Sequence, residues 1–266
     1  MNTSEQFYKL GNINFKGNFD GFYYDFVADG NLRTDLGRAE VSINFKTPTT
    51  AGRYSGKLNL YDFNLKEWTN NPDFGTVTFK STVKGTGGSL ETLDIKIDAD
   101  IESFTYKEYP YENIIIDGTF KQKSFIGEMS IADGNIDLNF NGEMNFNSDL
   151  PKFDLTSQIS HINLNALNIA KDTFTFNTSL NLNFSGDDLD NIVGTASVRN
   201  LKIFNGSENF QVDSMILKSS ITNNSRLMTF SSEILTASLG GNYTVKDIQK
   251  PLLNLSHNII HLLPKN

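Results

Sequence analysis

Residues 136–146 of this chain read Ile-Asp-Leu-Asn-Phe-Asn-Gly-Glu-Met-Asn-Phe, a stretch in which apolar and polar side chains alternate. Successive side chains on a β-strand point to opposite faces of the sheet, so this alternation predicts a strand with one apolar and one polar face. An amphipathic helix would instead repeat its apolar residues three and four positions apart. The stretch therefore predicts half-buried antiparallel β structure.

The same alternation recurs along the whole chain and predicts an all-β protein with a repetitive antiparallel sheet. Only two short windows, 65–68 and 165–168, have a helix-like pattern. Asn, Asp, Lys, Thr and Ser occupy most of the intervening positions and predict a solvated opposite face. The residues predicted to share the apolar face are Val41, Ile43, Phe45, Ile95, Ile97, Ile136, Leu138, Phe140, Met144, Phe146, Leu180, Leu182 and Phe184.

Turn-forming residues separate the alternating runs closely enough for hairpins and meanders. Gly, Asn and Asp adopt the backbone conformations that tight turns require. The predicted turns are Asp29-Gly30, Gly85-Thr86-Gly87-Gly88, Asp133-Gly134-Asn135, Asn141-Gly142, Ser185-Gly186-Asp187, Asn205-Gly206 and Gly240-Gly241-Asn242.

The chain resembles itself at a spacing of about one hundred residues. Pro151 and His161 recur as Pro251 and His261, and the residues from 54 to 68 match those from 153 to 167 at an offset of 99. The copies run roughly over 1–68, 69–167 and 168–266. No linker rich in Pro, Gly or Ser separates them, which favours one continuous repetitive β region over 1–266. The pattern is interrupted at both ends, as expected of a fragment of a longer chain.

Composition excludes several classes of function. The 266 residues carry a net charge of −8 without a Lys/Arg cluster, so no surface suits nucleic acid. The absence of cysteine removes disulfides, thiol catalysis and most structural zinc sites. Residues 1–8 lack the pattern of a secretory signal, and no run of about 18 apolar residues exists. Any export signal or membrane anchor is expected to lie outside this chain.

No constellation of residues predicts catalysis. His257 and His261 have helical spacing but lack the Glu of a zinc-protease helix, and His161 and His261 occupy matching repeat positions. Gly85 to Gly88 precede a strand-like run rather than a phosphate-binding helix. Carboxylates that alternate along a strand do not encircle a calcium ion. We therefore expect no enzyme activity, no metal and no cofactor.

The apolar face itself allows two hypotheses. If the sheet stays open, the many Phe, Leu and Ile side chains line a groove, which needs an apolar occupant such as lipid acyl chains. If the copies close individually, the same side chains form the cores of immunoglobulin-like sandwiches of an adhesin or structural protein. Sandwiches of that kind, which we call beads, would fold as single copies. A groove would instead bind lipid only when the copies are joined.

Two stretches carry a resemblance to a known family. Residues 13–37 begin with Ile-Asn-Phe-Lys-Gly-Asn-Phe-Asp-Gly, and residues 104–120 lead into Asp-Leu-Asn-Phe-Asn-Gly at 137–142. In their alternating pattern and in the order of their residues they resemble the repetitive β region of the TamB proteins, within the AsmA-like group of envelope proteins. The likeness covers nearly the whole chain and rests on no catalytic motif.

The resemblance implies a curved β-taco rod that is anchored in the inner membrane and spans the periplasm. Its apolar groove would carry phospholipid acyl chains between the inner and outer membranes, and the thirteen residues of the apolar face would line it. The resemblance also implies a link to outer-membrane protein assembly through an outer-membrane barrel partner. This chain lacks the family's anchor and far C-terminal portion, so it would lie in the middle of the rod.

Overall fold

The computed structural model describes residues 8–22, 24–47, 52–87, 91–188, 190–223 and 225–244. The repeat landmarks Pro251 and His261, together with His257, lie outside these residues. The strands are β1 (Asn14–Phe22), β2 (Asp25–Thr34), β3 (Gly37–Lys46), β4 (Arg53–Asn64), β5 (Phe74–Thr86), β6 (Asp94–Tyr106), β7 (Tyr109–Lys121), β8 (Ser124–Ala132), β9 (Ile136–Asn145), β10 (Lys152–Asn163), β11 (Thr175–Ser185), β12 (Val193–Phe204), β13 (Asn209–Thr222), β14 (Ser225–Ser232) and β15 (Thr236–Gly241). A short helix, α1 (Leu65–Thr69), connects β4 to β5.

The fifteen strands of the described residues form one sheet whose spatial order is the order of the chain. Each strand pairs antiparallel with the strand before it and the strand after it, and β1 and β15 form the two edges. The prediction of an all-β antiparallel sheet is confirmed. With neighbouring strands about 4.8 Å apart, the sheet extends roughly 70 Å from edge to edge.

The two faces of the sheet differ sharply in polarity. In β3, for example, Glu40 and Ser42 are exposed, while Val41 and Ile43 on the other face are partly buried. Cross-strand pairing keeps this division in register, because a slip by one residue would exchange the faces.

Three of the seven predicted turns are confirmed, since 133–135, 185–187 and 205–206 connect consecutive strands. Gly85 and Thr86 end β5, Gly240 and Gly241 end β15, and Gly88 lies outside the described residues. Two predicted turns are wrong. Asp29-Gly30 lies inside β2 and Asn141-Gly142 inside β9. These glycines serve close packing instead of chain reversal. A Cβ on Gly30 would lie 3.0 Å from the Phe15 ring, and one on Gly142 would lie 2.5 Å from Cα of Leu155.

Irregularities of register cross the sheet near one end of the strands. The pairing shifts between Leu60 and Phe63 in β4 and between Ile159 and Ile162 in β10. Asp62, Asn113 and Asn200, within β4, β7 and β12, have φ values of 52°. Asn and Asp adopt this left-handed conformation more readily than other side chains do. Bulges of this kind bend the strands that contain them.

A first cover lies over the apolar face beyond the bulge of β4. Helix α1 begins after Asn64, whose side chain accepts a hydrogen bond from the backbone N–H of Glu67 at 3.1 Å. The Trp68 ring lies 5.8 Å from that of Phe63. Residues 8–11 lie beside the helix, where the Lys9 Nζ donates to the carbonyls of Glu67 and Trp68 at 3.0 Å each.

The second cover consists of residues 164–170, which follow the bulge of β10. The helix-like window at 165–168 forms turns here, and the Asn163 side chain accepts from the N–H of Ala166 at 3.1 Å. Asn168 reaches across the sheet and donates to the carbonyl of Lys107 at 2.9 Å. Leu167 is 0% exposed and packs in a cluster with Tyr111, Ile114, Ile136, Ile159 and Ile162.

We predict that Leu167→Ala lowers the free energy of unfolding by about 2–4 kcal/mol, because the truncation leaves a cavity under the second cover. Ile169→Ala, in the same turn but 53% exposed, is the matched control and should change it by less than about 1 kcal/mol. Urea unfolding and amide hydrogen exchange of β7 and β10 measure both effects. Equal losses in the two variants would contradict the placement of Leu167.

Candidate functional site

The structure places the residues of the predicted apolar face together. Twelve of the thirteen lie in strands, and cross-strand pairing puts their side chains on one face of the sheet. They are Val41, Ile43 and Phe45 in β3; Ile95 and Ile97 in β6; Ile136, Leu138, Phe140 and Met144 in β9; and Leu180, Leu182 and Phe184 in β11. Phe146 lies just after β9, where it is 50% exposed and its ring centroid is 5.8 Å from that of Phe153.

One cross-strand row of this face is rich in aromatic rings. It takes one residue from each strand, seven of them aromatic, and we name it the aromatic row. Its members, from β1 to β15, are Gly21, Phe26, Phe45, Tyr54, Gly85, Ile95, Phe120, Phe125, Met144, Phe153, Phe184, Gly194, Ser219, Met228 and Leu239.

Neighbouring rings of the row are in contact. Ring centroids are 5.1 Å apart for Phe26 and Phe45, 4.7 Å for Phe120 and Phe125, and 5.0 Å for Phe153 and Phe184. These distances fall within the favourable range for aromatic pairs. The aromatic row runs across the strands, so it forms an apolar track along the long dimension of the sheet.

Five aromatic members of this row are not among the residues predicted for the apolar face: Phe26, Tyr54, Phe120, Phe125 and Phe153. The signal that could have found them was the same alternation. Phe120 follows Gly118 by two positions and Phe153 precedes Leu155 by two. Alternation identifies a face within one strand, but only cross-strand register shows that these rings are neighbours.

The next row of the apolar face contains small residues. It runs through Ile43, Gly56, Val83 and Ile97 to three consecutive glycines, Gly118, Gly127 and Gly142, and then to Leu155, Leu182 and Ala196. The Phe125 ring lies over the first glycine, since a Cβ on Gly118 would be 2.5 Å from its Cε2. Only the three glycines of β7, β8 and β9 form a continuous run of small residues in this row.

Residues in the middle of this face bury one another without a second layer. Phe125, Phe140 and Leu155 are 7–8% exposed and form a cluster whose partly buried members also all come from strands. All strands of the described residues belong to one sheet, so no second sheet faces this cluster. Most of the remaining predicted apolar residues are only partly buried. The side chains of this face therefore pack against one another and remain partly accessible to solvent.

Two tyrosines report the low polarity of this environment. Burial raises the pKa of Tyr54, a member of the aromatic row. Burial also raises the pKa of Tyr111, which is 8% exposed beneath the second cover, and the neighbouring Tyr106 adds to the effect. Desolvation disfavours the charged phenolate, so both side chains lie in apolar surroundings.

The two ends of the strands differ. Residues 8–11, helix α1 and residues 164–170 cover the apolar face at the end beyond the bulges, which we name the covered end. The aromatic row lies near the opposite end, named the open end, where no described segment forms a similarly packed cover. An ion pair crosses the open end near β14, where Arg226 contacts Asp190 at 3.0 Å with only 10% of its side chain exposed.

The polar face has a depression of about 790 Å³ between β7 and β12. Amides, hydroxyls and carboxylates line most of it, including those of Asp117, Glu128, Asn141 and Gln158. Among the residues that the structure describes, no three His, Asp or Glu side chains are grouped to hold a metal ion. The lining is that of a solvated sheet surface.

The described residues form a β fold of one sheet, with one polar and one apolar face. No family model matches the chain, and no curated protein or solved structure matches it. None of the helices in the described part of the chain is long and apolar enough to cross a membrane.

We predict that Gly118→Ala lowers the free energy of unfolding by about 1–3 kcal/mol, because the added methyl group would overlap the Phe125 ring and lie 2.7 Å from the Ile126 carbonyl oxygen. Gly134→Ala is the control, since no atom lies within 4 Å of a Cβ at that turn position. Thermal unfolding and near-ultraviolet circular dichroism measure the effects. An unchanged Gly118→Ala would contradict the packing of Phe125 over this glycine.

Proposed function

We propose that this chain is a segment of a bridge-like lipid-transport protein whose apolar face carries the acyl chains of phospholipids. The observation that supports it most directly is the continuity of an accessible apolar face across fifteen strands, with no second sheet in the described part of the chain to close it. An exposed apolar surface of this extent is unfavourable in water and marks a site for an apolar occupant.

Acyl chains fit the chemistry of this face better than other small ligands do. They need no hydrogen bonds, and the middle of the face offers Leu, Ile, Phe and Met rather than convergent polar groups. Each buried methylene group contributes about 0.8 kcal/mol, so a long chain gains affinity from contact alone. The aromatic row and the neighbouring row that contains Gly118, Gly127 and Gly142 run in parallel and provide a track along which a chain can lie.

The repetitive architecture completes this proposal. Asn64 and Asn163, 99 positions apart, cap the two covers in the same way, each after a bulge of its strand. We propose that these are equivalent parts of a structural repeat of about one hundred residues, and that the bulges bend the strands into a β-taco. The resemblance to the TamB proteins supports a rod in the periplasm that carries phospholipid between the inner and outer membranes and contacts an outer-membrane barrel partner.

The alternative of immunoglobulin-like beads has less support. A bead needs two sheets packed about 10 Å apart, with a core between them. The described strands instead pair consecutively in one sheet, and the turns between successive copies keep this pairing.

We predict that Leu138→Asp with Leu182→Asp reduces the phospholipid that co-purifies with the protein by more than about tenfold, because a carboxylate in the groove must be desolvated by the acyl chain. Native mass spectrometry with lipid extraction measures the bound lipid. Circular dichroism establishes that the variant retains its β structure.

The matched control places the same charges on the polar face, with Asn139→Asp and Asn181→Asp. Both asparagines are exposed next to the replaced leucines, and their cross-strand neighbours are uncharged. This control should retain lipid at the wild-type level. A lipid-free wild-type protein, or equal loss in both variants, would count against the groove.

A second prediction concerns the side of the sheet that lipid contacts. A photoreactive benzoylphenylalanine at Phe184, in the aromatic row, should form crosslinks to acyl chains. The same residue at Asn183, on the polar face, should form at most one tenth as many, because the two side chains point to opposite sides. Mass spectrometry of the irradiated protein compares the yields, and equal yields would contradict the proposal.

A further inference from the structure

Four positive charges lie together at the open end of the sheet. Lys46, Arg53, Lys84 and Lys96 belong to four consecutive strands, β3 to β6, and all four are exposed. Lys46 lies directly opposite Arg53, and Lys84 lies directly opposite Lys96. Arg53 and Lys84 are diagonal neighbours, because Arg53 pairs with Thr86. We name these four residues the cation group.

Each member of the cation group is adjacent in sequence to a member of the aromatic row. Lys46 follows Phe45, Arg53 precedes Tyr54, Lys84 precedes Gly85 and Lys96 follows Ile95. Their side chains leave from the polar face, while their neighbours point into the apolar face. Long Lys and Arg side chains at a sheet end can keep their stems on apolar surface and their charges in water.

Nearby acids offset only part of this charge. Asp25 lies 3.6 Å from Lys46, and Asp117 lies 4.0 Å from Lys96. Within the described residues, Arg53 and Lys84 have no ion pair at 4.0 Å or closer. At the covered end, the opposed pair Arg33 and Arg38 likewise has one acid nearby, Asp62 at 3.8 Å from Arg38. Like charges directly opposite each other on a sheet are destabilising, so the cation group favours an added anion.

We propose that the cation group binds the phosphate of a phospholipid whose acyl chains lie on the apolar face beside the aromatic row. This inference rests on the proposed function and adds where the headgroup lies. An Arg guanidinium presents paired donors that match phosphate oxygens, and Lys adds a compact positive charge. The phosphate lies at the open end, since the covered end is occupied by Leu10, α1 and residues 164–170.

The geometry gives each lipid a defined orientation. Its chains leave water on the apolar face, while its charged headgroup remains hydrated at the open end and contacts Arg53 and Lys84. A headgroup without phosphate would lose the charge contact and keep the chain contact. The cation group therefore distinguishes phospholipids from neutral lipids with the same chains.

The test compares two fluorescent lipids with identical acyl chains, phosphatidylglycerol and diacylglycerol, binding to the full 266-residue chain. We expect Arg53→Gln with Lys84→Gln to weaken phosphatidylglycerol binding roughly 3- to 10-fold, as two exposed charge contacts are removed, and to leave diacylglycerol binding unchanged. Raising the salt concentration should reduce the difference between wild type and variant.

The matched control is Lys57→Gln with Lys80→Gln, which removes the same charge from exposed positions of β4 and β5 farther from the open end. It should bind both lipids as the wild type does. Equal weakening of phosphatidylglycerol binding in both variants would overturn the inference, because it would show a general effect of the protein's net charge. Binding of inorganic phosphate alone, as tightly as phosphatidylglycerol, would overturn it in favour of a soluble anion.

Failure of this inference and failure of the proposed function give different results. If the wild type binds both lipids and Arg53→Gln with Lys84→Gln changes neither, the phosphate site is wrong and the groove stands. If the wild type binds neither lipid, the proposed function itself fails.

Discussion

The structure depends on the alternation of side chains along antiparallel strands. Because every strand pairs in register with the next, the apolar positions of all strands are collected on one face and the polar positions on the other. A sheet of this kind normally buries its apolar face against a second layer. Here the described strands continue sideways in one sheet, so the apolar face is lengthened and not closed. The accessible surface on which the proposed function rests follows directly from that continuation.

Partial coverage explains how such a face remains stable in water. At the covered end, Leu167 and Trp68 fill the space beyond the bulges and bury the residues beneath them. In the middle, rings such as Phe125 pack along the sheet over glycine. The strand centres thus gain hydrophobic stabilisation from their own neighbours, while the aromatic row stays near the open end. The covered end and the middle of the face therefore stabilise the fold, while the open end leaves the face accessible to an apolar occupant.

Much of this arrangement was predictable from particular residues. Alternation in 136–146 predicted β9 and its apolar face, and Asp133-Gly134-Asn135 predicted the turn before it. A slip in the alternation after Val198 corresponds to the irregular pairing of β12 around Asn200. Gly30 and Gly142 were predicted as turns and lie within strands, because a glycine that accommodates a neighbouring ring or backbone looks the same in sequence as one that reverses the chain.

The sequence by itself determined the strand type and the polarity of each face, because these depend on local periodicity and composition. Only the tertiary structure decided which residues of different strands are neighbours. It placed Phe45 beside Tyr54 in the aromatic row, and Lys46 beside Arg53 at the open end. It also carried Asn168 across to Lys107. These relations depend on register and on the path of connecting segments, and local alternation carries no information about either.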